Sequence, residues 1–198
     1  MLPFFFMSVV LHEVSHGWVA ERLGDTTARR MGRLSLNPLR HVDMMGTILL
    51  PFLLIVMRSP VIFGWAKPVP IDALSLRHPK RDLMWVGLAG PAMNLILALG
   101  FGLTLRVSGL GPGDLLWQIG AGVVLINLVL AFFNLIPIPP LDGSRILVGL
   151  LPIRYARLWL QLEPFGFLVL VALLFFGVIH RILGPLVAMT AALLGVRG

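Results

Sequence analysis

The sequence predicts an all-α polytopic membrane protein with about four to six transmembrane or membrane-embedded helices. Three observations carry that prediction. Of 198 residues, 58% are hydrophobic and 13% charged, whereas a soluble domain is nearer half apolar and a quarter charged. Apolar runs of about 20 residues, the length that crosses a bilayer at 1.5 Å per residue, recur along the chain. The basic residues behind the net charge of +7 sit between those runs, as topology signals and contacts with anionic lipid. This composition excludes a disordered chain and a nucleic-acid-binding domain in water.

The first span is expected over residues 3–23, with Gly24 as its C-cap. Met1 to Phe6 carry no basic leader region, and His12-Glu13 interrupt the apolar run early, so this helix is read as a retained span. Residues 24–43 alternate Arg with Thr, Met, Leu and Ser between turn formers, which predicts a short β-hairpin-like or extended loop. The apolar stretch at 46–57 is short, contains Pro51, is broken by Arg58-Ser59-Pro60, and resumes over 61–65. It reads as a re-entrant or interfacial segment. Residues 66–83 form a polar, Pro-rich connection. Further spans are expected over 84–105 and 115–136, joined by a tight turn at 106–114. The Pro residues of 137–140 must end the second of these. A span at 158–179 and a marginal one at 183–195 follow. The whole, 1–198, reads as one domain with a core over 5–150 and C-terminal helices over 158–195.

Lys and Arg number ten in 21–83, one in 106–114 and three in 139–157. The positive-inside rule places the first and third groups in the cytoplasm if 46–65 makes no net crossing. The expectation is a multi-pass plasma (inner) membrane protein, bacterial or archaeal. Asp142 then lies on the same side as the C-terminal half of the first helix.

With no Cys in the chain, a metal must be held by His, Asp or Glu. The sequence His12-Glu13-Val14-Ser15-His16 is an HExxH pattern. On a helix, positions i and i+4 share a face, so both imidazoles reach one ion and Glu13 lies beside it. Chance alone yields about 0.006 such matches in this composition. Two buried structural histidines are the plainer explanation, but His and Glu inside a span are costly and usually functional. Catalytic zinc takes three protein ligands and leaves one position open. Glu21 lies about 140° around the helix from His16, on the wrong face. His41 and Asp43 are candidates, and Asp142 is the better one, because the Pro-broken backbone before Leu141-Asp142-Gly143 can turn a carboxylate inward. Alone, Asp142 would read as a turn or helix-capping residue.

HExxH in the first span, together with Asn134-Leu-Ile-Pro-Ile-Pro-Pro-Leu-Asp142-Gly143, resembles the site-2 protease family of intramembrane zinc metalloproteases (peptidase M50). Gly90-Pro91-Ala92-Met93-Asn94 is similar to the family's G-P-x-x-N. The resemblance covers about residues 5–150, in a minimal form with no stretch long enough for a PDZ or CBS domain. It implies that His12, His16 and Asp142 bind one Zn2+ per chain and that Glu13 is the catalytic base. It also implies that Asn134 points into the site to steady the reacting carbonyl or water. Asn94 is either a substrate contact or a helix-packing residue. A substrate helix must unwind to expose its carbonyls. Residues 28–36, which include Arg33, Leu34 and Ser35, either pair with the extended substrate or, through Arg29, Arg30 and Arg33, mark a basic cytoplasmic loop. The function expected is intramembrane zinc endopeptidase, acting on membrane-anchored protein substrates from within the lipid bilayer, with no nucleic acid partner. The alternatives are a metal-ion carrier or channel, for which Glu13 has no use, and an inactive member that only binds membrane proteins.

Overall fold

The computed structural model describes residues 1–58 and 64–196. Helix α1 (Leu2–Arg22) opens the chain with Pro at its first turn, where a missing N–H costs nothing. Gly24 then reverses the backbone at φ 116°. Of the hairpin or extended loop expected over 24–43, the loop is what forms, with no hairpin among the described residues. Its first part is the single helical turn α2 (Thr27–Arg30), and the next segment runs to a 3₁₀ turn at Pro38–His41 without a ladder. The polar groups there find other partners: His41 Nε2 bonds Ser35 O at 2.8 Å, and His41 O accepts from Lys67 N at 2.8 Å. Among the described residues the alternating stretch has no second strand to pair with.

A π-helical turn (Met44–Leu49) leads into α3 (Leu50–Val56). Asp43 caps the turn, accepting from Met45 N at 3.0 Å and Gly46 N at 2.7 Å. The expected resumption at 61–65 falls largely on 59–63, outside the described residues. A 3₁₀ turn (Ala73–Ser75) precedes α4 (Pro79–Val107). Asp25 fastens this connection to the end of α1: it is fully buried and accepts from Thr27 N at 2.8 Å and Asp72 N at 2.7 Å. Burial opposes its charge, but these bonds hold its carboxyl below the usual carboxylate range.

Helix α4 is the centre of the molecule. It packs against α1, α5 (Leu115–Asn134) and α6 (Asp142–Leu150). By length and apolarity α4 and α5 each suffice to cross a membrane; α1 carries Ser8, His12, Glu13, Ser15 and His16 among mostly apolar residues. The span expected at 158–179 is two helices, α7 (Ile153–Gln161) and α8 (Glu163–Phe175), bent by 66°. Pro164 supplies the reason, since it lacks an N–H and cannot continue the preceding turn. Helix α9 (Val178–Leu193) follows Gly177 in the left-handed region and packs on α5 and α8. An apolar core of Ala98, Leu105, Ala121, Val124, Leu128, Val187 and Ala191 joins α4, α5 and α9.

Candidate metal centre

The site forms where α1, α4 and the start of α6 meet. His12 and His16 occupy one face of α1, and both are buried. Asp142 is the first residue of α6, buried beneath them. Gly143 allows this approach, because a Cβ there would run into the carbonyls of Leu135 and Ile136 at the end of α5. On α4, Gly87 and Gly90 do the same from the other side. A Cβ on Gly90 would stand 2.5 Å from His12 Nε2 and His16 Nε2, and one on Gly87 would stand 3.1 Å from Asp142 O. Small residues at such crossings let helix backbones come close.

The hydrogen bonds fix which nitrogen each imidazole presents. Asn127 Nδ2 donates to Val123 O and to Ser8 Oγ, each at 2.9 Å. Its Oδ1 therefore faces Asn94, accepting from Nδ2 at 2.8 Å. Asn94 Oδ1 in turn accepts from His12 Nδ1 at 2.5 Å, and Val86 O accepts from His16 Nδ1 at 2.6 Å. With Nδ1 protonated in each neutral ring, both Nε2 atoms offer lone pairs. These lie 3.1 Å apart, and 3.1 and 3.2 Å from Asp142 Oδ2. Two lone pairs and a carboxylate oxygen thus converge in a buried place. A tetrahedral zinc with ligands at about 2.0–2.1 Å sets them about 3.3–3.4 Å apart. The residues present fit the ion, and carbonyl partners behind both imidazoles are the usual arrangement for metal-ligating His. Among the described residues, this trio is the cluster of His, Asp and Glu able to hold a metal.

Glu13, half-buried, accepts from Val69 N at 2.8 Å through Oε2. Asn134, half-buried at the end of α5, donates to Leu130 O of its own helix at 2.9 Å. Asn94 is fully buried, with both ends of its amide taken by His12 and Asn127. Arg33 is turned inward, its Nη2 donating to Lys67 O at 2.7 Å and Pro68 O at 3.2 Å. Leu34 and Ser35 are half-buried, Leu34 lying over Gly17. His41 and Asp43, the other candidate ligands, are engaged with Ser35 O and the Met44–Leu49 turn. Ser8, Val69 and Asn127 are the parts that sequence reasoning missed. Asn127 had a signal, as a lone amide in the apolar run 123–133, where polar groups are expensive.

The model described as Peptidase family M50 matches residues 114–177, which hold Asn134 and Asp142. YwhC of Bacillus subtilis is 38% identical over 175 residues, covering 84% of this chain and 76% of its own. Rip2 of Mycobacterium tuberculosis is 31% identical over 182 residues, covering 88% and 69%. Both carry the name "Putative zinc metalloprotease". Zinc metalloprotease MJ0392 of Methanocaldococcus jannaschii is 30% identical over 158 residues, which is 77% of this chain and 34% of that protein. No solved structure matches the chain. The match to that family model, together with a relative 38% identical over most of both chains, shows that the chain belongs to peptidase family M50.

Proposed function

We propose that the protein is an intramembrane zinc endopeptidase that hydrolyses peptide bonds in or near the transmembrane segments of membrane-anchored proteins. The observation that carries this reading is the buried convergence of His12, His16 and Asp142 with Glu13 one residue away on α1. Zinc held by the trio supplies Lewis-acid chemistry, acidifying a water and polarising a carbonyl. Glu13 has one carboxylate oxygen on Val69 N and one free of it. Through the free oxygen it takes the proton of the attacking water and returns it to the leaving amine. Asn94, Asn127 and Val86 O hold the imidazoles in the tautomer that leaves Nε2 available. The names of the relatives support the peptidase reading, and the apolar α4 and α5 support a membrane setting. The distribution of Lys and Arg supports a multi-pass plasma-membrane protein with its site toward the cytoplasm.

The test is Glu13→Gln in the purified full chain. It keeps one zinc per chain and lowers cleavage of a single-span reporter helix by about 10²–10⁴-fold. Undiminished cleavage would refute the assignment of the base. Zinc flux across proteoliposomes that survives the substitution, without cleavage by either form, would favour a metal carrier.

A further inference from the structure

We infer that Pro68-Val69-Pro70 is a positioning strap for Glu13, which the Val69 amide holds by one carboxylate oxygen. The inference rests on the reading of Glu13 as the base. Pro68 and Pro70 have no N–H, so this run offers a single amide donor. That donor meets Glu13 Oε2 at 2.8 Å. Lys67 and Val69 each precede a Pro, which disfavours helical backbone at both and keeps the run extended.

The strap is fastened on both sides of Val69. Upstream, Arg33 Nη2 donates to Lys67 O at 2.7 Å and to Pro68 O at 3.2 Å, and Lys67 N donates to His41 O at 2.8 Å. Downstream, the buried Asp25 accepts from Asp72 N at 2.7 Å. The strap also lies close on α1. Gly17 is one helical turn past Glu13 on the same face, and a Cβ there would stand 2.8 Å from Val69 Cγ1 and 2.6 Å from Leu34 Cδ2. Val69 itself is buried. A base fixed by one oxygen keeps the other in a constant place, which is how positioning lowers a barrier. Arg33 therefore acts through the strap, as a positioning residue.

Hydrogen exchange of the Val69 amide in the full zinc-loaded chain tests this without a substrate. In Glu13→Ala, exchange at Val69 speeds at least tenfold relative to the unaltered protein, while exchange at Lys67, bonded to His41 O, is unchanged. Equal Val69 rates in the two proteins would overturn the strap. The kinetic counterpart replaces Val69 by its α-hydroxy acid, which deletes the N–H and keeps the side chain. With a quenched reporter bearing one apolar helix interrupted by Asn-Pro, kcat falls about tenfold while KM and zinc content hold. Unaltered kcat beside a dead Glu13→Gln overturns the strap and leaves the base standing. An active Glu13→Gln overturns the base instead. If the ester variant loses zinc, the exchange rates decide.

Discussion

The helices around α4 and the C-terminal pair α8–α9 solve the same packing problem with different materials. Ser8, His12, His16, Asn94, Asn127 and Asp142 are all buried in α1, α4, α5 and α6. In α8 and α9 the buried residues are Gly166, Leu170, Ile179, Leu183, Val187 and Ala191. Polar groups away from water are costly unless paired. Around α4 they are paired in one line, from Ser8 and Val123 O through Asn127 and Asn94 to His12. The line ends at the trio able to hold a metal. The contrast teaches that one region is built to hold a charged centre and the other to hold shape.

The largest effect that can break this contrast belongs to Asn94→Leu. It removes the acceptor behind His12 and leaves Asn127 without its donor, so zinc affinity falls about 10–100-fold in chelator competition. Unchanged affinity would reduce the polar line to ordinary packing. Gly90→Ala comes next. Its Cβ meets both imidazoles on rigid helices, which costs roughly 1–3 kcal/mol of stability. Thermal unfolding with and without zinc checks it, and the zinc-dependent part of the stabilisation shrinks. The smallest effect on the metal is that of Leu183→Ala in α9. It destabilises the fold by about 2–4 kcal/mol through a cavity, yet zinc affinity stays within about twofold. A tenfold loss there would merge the two regions into one.

Much of the site was legible because it rests on local spacing. HExxH on a helix puts two imidazoles on one face by geometry alone, and 137–140 had to break α5 and turn Asp142 inward. The Gly90-to-Asn94 motif was visible, but its meaning needed the crossing of α1 and α4: Gly90 makes room for the rings and Asn94 holds one of them. Ser8 and Asn127 are 119 residues apart and meet only through that crossing. The Val69 amide was hidden for a different reason, since a backbone donor leaves no mark in residue type. Two elements were legible only in part. Over 24–43 the loop was right and the hairpin was not, since among the described residues the alternation of Arg and apolar residues over 28–36 meets no partner strand. The run 158–179 looked continuous in hydropathy, while Pro164 already marked the bend.

The central claim is that residues 130 positions apart share one ion. It is tested most directly by zinc per chain in the purified protein and in Asp142→Ala, measured after equilibration with a weak chelator. The account predicts about one zinc in the first and almost none in the second, because a three-ligand site loses its only anionic member. Equal zinc in both proteins would contradict it.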